Sequence, residues 1–325
     1  MFETDTHLWL QTFNARWLLW TMVAVSELGT RMAYTFAILL LAFGVRFRAT
    51  LGVLLGLVLA GAAAGVAKLG FALPRPSEVD ARVLDKGESG RALVENGAAD
   101  TFWSLPGDAA IDAVRAAGGM DYGFISGHSS AAMAFMLGVA LCFGWRRRWA
   151  WALAIGWALL IGISRLYLGR HFLADVLGGW LVGALAAWLA WRFVRAIESN
   201  DARRRTQAWA VASAGVGALL LASLRWPFVL PGGAGELAGV LLCLLVASRM
   251  AGVDEGGGVR RLLRVLLALG LGLGIDTLLQ STWEVGGWPD AHPLAFVFPA
   301  VGYPLAMLGT FFVARGLRLY RPPAA

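Results

Sequence analysis

Apolar runs, each about as long as a bilayer is thick, alternate along this chain with short turns rich in arginine. Runs at roughly 28 to 45, 51 to 72, 128 to 145, 149 to 166 and 172 to 194, then 207 to 224, 235 to 249, 262 to 280 and 293 to 314, read as nine transmembrane helices. Residues 7 to 26 precede them and mix Trp9, Trp17 and Trp20 with Gln11, Asn14 and Arg16. That stretch is too polar for a clean span and predicts a helix lying in the membrane interface. The expected fold is therefore all-α: a polytopic helical membrane protein of about nine transmembrane helices plus an N-terminal interfacial helix. In the second run, Gly61-Ala-Ala-Ala-Gly65 offers a smooth face for close helix contact.

The pattern breaks at residues 74 to 125, where prolines, glycines and acids from Glu78 to Asp121 replace the apolar run. A long water-exposed loop is expected there, acting as a lid or binding element, with a short helix near 108 to 117.

Composition agrees with a membrane setting, since 58% of residues are hydrophobic and only 15% are charged. No basic leader followed by a small-residue cleavage site opens the chain, so no removable signal peptide is expected. The net charge of +7 has a specific distribution. Arg46 and Arg48, Arg146 to Arg148, Arg203 to Arg205, Arg249 to Arg264, and Arg315 to Arg321 fall in every second turn. By the positive-inside rule those turns are cytoplasmic, which places the long loop on the opposite side. The charge thus orients the chain in a lipid bilayer, and no nucleic-acid partner is expected. Cys142 and Cys243 lie inside apolar runs and read as small buried hydrophobes. The helix-breaking stretch from Asn200 to Arg205 marks the best boundary, between a part at 1–200 and a four-span membrane bundle of unassigned role at 201–325. A homodimer is compatible with that bundle.

Three polar constellations converge on the non-cytoplasmic side. Lys68 and Arg75 are seven residues apart, close to two helical turns, with Pro74 and Pro76 ending the helix. They project from one face as an anion site, or snorkel to the headgroups. Ser126-Gly127-His128 opens the third run, where free backbone amides, a close-approach glycine and a hydroxyl suit an anion. The alternative is a simple N-cap by Ser126. In Ser164-Arg165 to His171 to Asp175, the histidine and the carboxylate stand one helical turn apart, so the acid can orient the imidazole as a nucleophile. Arg165 can clamp phosphate oxygens, and the alternative is a surface His-Asp pair. The set lacks the oxygen ligands of a magnesium or calcium site, so no metal and no cofactor are expected.

At these residues the sequence resembles the type 2 phosphatidic acid phosphatase superfamily, which includes bacterial acid phosphatases and vanadium haloperoxidases. The motifs Lys68 to Arg75-Pro76, Ile125-Ser126-Gly127-His128, and Ser164-Arg165 to His171 to Asp175 appear in the family order. Ile125 departs from the usual proline. The resemblance covers roughly 28 to 195 and implies a phosphatase helical-bundle core. It implies His171 as the nucleophile that becomes a phosphohistidine, Asp175 as its orienting acid and His128 as the general acid. Lys68, Arg75, Ser126, Gly127 and Arg165 match phosphate-binding positions.

A metal-independent lipid phosphate or pyrophosphate phosphatase is therefore expected, in a bacterial inner membrane with its site facing the periplasm or cell exterior. Its substrate partner is a membrane lipid: undecaprenyl pyrophosphate, phosphatidylglycerophosphate or phosphatidic acid. A phosphotransferase and a non-catalytic transporter or scaffold are the alternatives. Beyond 206, only Glu284, Asp290 and His292 form a polar cluster worth mutating.

Overall fold

The structure, a computed structural model, describes residues 1–88, 92–118, 122–250 and 257–320. Its regular elements are helical, with one isolated antiparallel bridge between Asp85 and Glu88. In chain order they are α1 (Asp5–Gln11), α2 (Arg16–Glu27), α3 (Arg31–Gly44), α4 (Phe47–Phe71), the single turn α5 (Pro76–Val79), α6 (Asp108–Ala117), α7 (Gly127–Cys142), α8 (Arg148–Tyr167) and α9 (Leu173–Ile197). There follow α10 (Ala202–Arg225), α11 (Pro231–Arg249), α12 (Val259–Gly286), α13 (Leu294–Pro304) and, after a π-helical turn at Leu305–Gly309, α14 (Thr310–Gly316).

Every expected span falls on a helix, yet the lengths differ. Among the described residues, seven helical segments are long and apolar enough to cross a membrane, or eight if the bent pair α2 and α3 makes one span. At 14 and 16 residues, α3 and α7 are short of a full crossing. The expected interfacial helix over 7 to 26 is instead two helices parted at 12–15. The first of them turns inward, because His7 is fully buried.

The chain forms two compact units. The first comprises Met1–Ala33, Ala60–Ala140 and Trp145–Ala187. Within it, α1 and α2 pack on α8, and α7 meets α9 at unusually close range. A Cβ added at Gly179 would lie 2.7 Å from the Ser126 carbonyl oxygen, and one at Gly183 would lie 2.9 Å from the Met133 Cβ. Only glycine lets the two backbones approach so far. The expected smooth face at Gly61 and Gly65 does not serve this purpose, since a Cβ at either would meet nothing within 4 Å.

The described residues between 74 and 125 are also more ordered than a solvated loop. Helix α6 lies where the short helix was expected. Val79 and Ile111 are buried with Phe2, Leu73 and Phe172 in one apolar cluster. These apolar residues are spaced singly among acids, so they read as loop in the sequence and gain their burial from distant segments, Phe2 on one side and Leu73 and Phe172 on the others.

The second unit comprises Tyr34–Leu59, Leu141–Gly144 and Trp188–Ala325. Its α11 packs closely on α13: a Cβ at Gly239 would lie 2.7 Å from the Pro299 carbonyl oxygen. The Arg264 guanidinium is buried there, donating from Nε to the Phe43 carbonyl at 3.0 Å and lying 4.4 Å from the Tyr320 ring centre. None of the residues of α10 is buried.

Candidate functional site

His171 occupies the turn between α8 and α9. The chain makes that turn through Gly169, whose φ of +67° places it in the left-handed region. A side chain there would also strike Val83 at 2.9 Å, so glycine is required twice over. The His171 ring is 2% exposed. Its Nδ1 lies 3.3 Å from Asp175 Oδ2, and that same oxygen accepts the Phe172 backbone N–H at 2.9 Å. Asp175 thus reaches back over the first turn of α9 as a capping carboxylate does, while also facing the imidazole. At 0% exposure this is no surface ion pair.

The second motif is joined to the third through backbone. The Ser126 N–H donates to the Asp175 carbonyl at 2.9 Å. Ser126 Oγ accepts from the Ser129 N–H at 3.3 Å and from the Ser129 hydroxyl at 2.9 Å, so its side chain caps α7. Gly127 is open: a Cβ there would meet nothing within 4 Å. His128 follows on the first turn of α7, with Gly29 beside its ring.

The first motif enters from the end of α4. Lys68 Nζ donates to the Tyr122 carbonyl at 2.5 Å, and the Gly123 N–H donates to the Leu73 carbonyl at 2.8 Å. Arg75 precedes Pro76, the first residue of α5, and its N–H donates to Glu78 Oε2 at 2.7 Å. Its side chain is buried, as is that of Arg165 in the last turn of α8. Arg165 Nη1 donates to Ser26 Oγ at 2.5 Å.

The structure therefore brings together all eight candidate residues in one unit. Arg165, Lys68, Arg75 and His128 each act electrostatically on the His171 ring. Burial first, then the Arg165, Lys68 and Arg75 cations, hold the His171 imidazole well below its ordinary pKa. The ring is thus neutral and available as a nucleophile, in surroundings that favour an incoming anion. Among the described residues, no group of three or more His, Cys, Asp or Glu side chains is placed to hold a metal ion.

Sequence reasoning missed two residues here, Ser26 and His7. Ser26 sits at the end of a stretch read as interfacial, where a serine carries no signal of its own. His7 Nε2 lies 2.9 Å from the His171 carbonyl oxygen, a contact across 164 residues. Of the distant cluster, His292 Nδ1 accepts the Leu294 N–H at 3.2 Å at the start of α13 and its ring stacks with Trp288. That is a local capping role. Cys142 and Cys243 are free thiols.

Helices and site together define a polytopic membrane protein with a histidine and several cations gathered at a helix–helix turn. Residues 49–199 match the PAP2 superfamily. All eight candidate residues fall inside that stretch. An undecaprenyl-diphosphatase of Sulfolobus acidocaldarius is 36% identical over 70 residues, which cover 22% of this chain and 32% of that protein. YbjG of Escherichia coli K12, whose undecaprenyl-diphosphatase name is itself provisional, is 35% identical over 92 residues, covering 27% of this chain and 43% of that protein. The chain thus spans less than half the length of these curated relatives. No solved structure matches it.

Proposed function

We propose that this protein is a lipid phosphate or pyrophosphate phosphatase working through a phosphohistidine. The observation that carries the reading is the buried His171–Asp175 contact of 3.3 Å with Arg165, Lys68 and Arg75 acting on the same ring. With Nδ1 facing Asp175, Nε2 of His171 is the nitrogen left to attack phosphorus. The N–P bond forms as the P–O bond to the lipid or second phosphate breaks, and His128 gives a proton to the departing oxygen. Water then attacks the phosphohistidine, His128 takes a proton back, and phosphate leaves. Arg165, Lys68, Arg75 and the open backbone at Gly127 stabilise the charge spread over the transferring group.

The membrane spans support a lipid substrate, whose tail stays in the bilayer while its phosphate reaches the site. The names of the two relatives favour undecaprenyl pyrophosphate, with phosphatidylglycerophosphate and phosphatidic acid as the other candidates. The alternating arginine turns support an inner-membrane protein with the site facing outward. The part at 1–200 is the phosphatase core in this reading. The bundle at 201–325 serves packing and lipid contact, in keeping with an α10 that buries none of its residues.

The test is phosphate release from these three lipids by purified protein in detergent with a chelator present. Release from at least one of them, lost in His171→Ala, is expected. No release from any of them, or release only with an added acceptor, contradicts the hydrolase reading.

A further inference from the structure

The nucleophile's turn is held from outside the three motifs. We propose that His7 is a positioning residue for the reaction, fixing the backbone of His171 through a hydrogen bond to its carbonyl. This inference rests on the phosphohistidine reading above.

The contact has the geometry the role requires. His7 is 0% exposed, and its Nε2 donates to the His171 carbonyl at 2.9 Å. A carbonyl oxygen can only accept, so Nε2 carries the hydrogen. The His7 ring also packs edge-on against Phe172, with ring centres 5.7 Å apart, and Phe172 is the residue whose N–H binds Asp175. His7 therefore touches the backbone of His171 and the ring of the adjoining Phe172, while the reacting atoms stay with the His171 ring and Asp175. Burial lowers the pKa of its imidazole, so the ring is kept neutral and binds without adding a further cation.

The segment carrying His7 is itself tied down at both ends. Thr4 Oγ1 donates to Asp80 Oδ2 at 2.8 Å. Gln11 Nε2 donates to the carbonyls of Leu84 and Tyr167, at 2.8 and 3.0 Å, while its Oε1 accepts the Leu84 N–H at 2.9 Å. Beneath it, the Lys86 N–H donates to the Leu168 carbonyl at 3.0 Å and Arg170 binds Asp85 at 2.7 Å. The first eleven residues, the 80–86 segment and the 167–171 turn thus stack into one clamp. Nucleophile placement matters steeply, because a displacement of about 1 Å can cost about 100-fold in rate.

The experiment compares His7→Leu, His7→Gln and His7→Asn with wild type on whichever lipid phosphate the wild type hydrolyses. Glutamine places an amide N–H near the position of Nε2, whereas asparagine falls short of it. We expect kcat to drop about 10- to 100-fold in His7→Leu and His7→Asn, as for outer residues that orient a reacting group. KM should stay within about threefold and His7→Gln should recover most of the loss, the pattern of an interaction felt mainly in the transition state. Orthovanadate, a stand-in for five-coordinate phosphorus, should inhibit His7→Asn less strongly than His7→Gln. If His7→Leu does not fold, the Gln and Asn pair decides, with melting temperatures as the control. Unchanged kcat, or equal losses in Gln and Asn, would overturn the positioning role while leaving the phosphatase reading intact. A wild type inactive on all lipid phosphates would overturn both.

Discussion

Ser26 holds Arg165: the guanidinium Nη1 donates to the serine hydroxyl at 2.5 Å, and both side chains are buried. The serine lies at the end of α2, on a segment whose tryptophans Trp17 and Trp20 are exposed. One helix thus carries exposed tryptophans and a hydroxyl that holds the buried Arg165 guanidinium. Ser26→Ala should lower kcat/KM about 3- to 10-fold, roughly 1 kcal/mol for one lost hydrogen bond. Steady-state kinetics on a lipid phosphate will show it, and an unchanged value would mean that Arg165 is positioned without Ser26.

Two glycines near the site should respond to alanine in opposite ways. A Cβ at Gly123 would lie 2.6 Å from the Pro74 carbonyl and 3.2 Å from Asp175 Oδ2. Gly123→Ala should therefore cost about 1–3 kcal/mol in stability, because backbone must shift. A Cβ at Gly127 meets nothing within 4 Å, so Gly127→Ala should leave the melting temperature nearly unchanged. If phosphate approaches that backbone, the same substitution raises KM. Melting curves and kinetics on the two variants separate packing from substrate contact.

The N-terminal clamp has a pH limit set by Asp80. Its hydrogen bond to Arg82, aided by Thr4, holds the carboxyl down at about 2. A carboxylate lowered in the folded state contributes its full stabilisation above its unfolded pKa of about 4 and loses it as pH falls through the folded value. Proteolysis within the first thirteen residues should accordingly accelerate between about pH 4 and pH 2. Asp80→Asn should show the faster cleavage already at neutral pH.

His171 predicts a second pH effect. Burial and then Arg165 keep its ring deprotonated below the ordinary histidine range. The acidic fall in kcat/KM that reports nucleophile protonation should thus lie below about pH 6.5. Arg165→Gln removes a positive neighbour and should move that limb upward. A pH profile of each protein gives the answer.

Much of this site was legible because its chemistry is carried by residue types that are costly in apolar surroundings. Lys68, Arg75, Arg165, His171 and Asp175 stand out against hydrocarbon, although Arg75 lies beyond the end of α4 and His171 before the start of α9, so helical spacing was not what grouped them. What the sequence could not show is what holds them. Ser26 and His7 look ordinary where they stand, and their partners lie 139 and 164 residues away. The close approach of α7 and α9 was equally hidden, because Gly179 and Gly183 are indistinguishable in sequence from Gly61 and Gly65, where an added Cβ would meet nothing within 4 Å. The 74–125 stretch was read as solvated because prolines, glycines and nine acids interrupt its apolar residues, yet Val79 and Val83 are fully buried. Contacts between distant segments decide such cases, and composition does not register them.

The phosphatase reading requires His171 to become covalently phosphorylated. The direct measurement is to quench the protein with alkali during turnover of a lipid phosphate labelled at phosphorus, then map the label by mass spectrometry. An alkali-stable, acid-labile label is expected on His171, absent from His171→Ala and reduced in Asp175→Asn. Turnover without any label on His171, or full activity in His171→Ala, would contradict that reading.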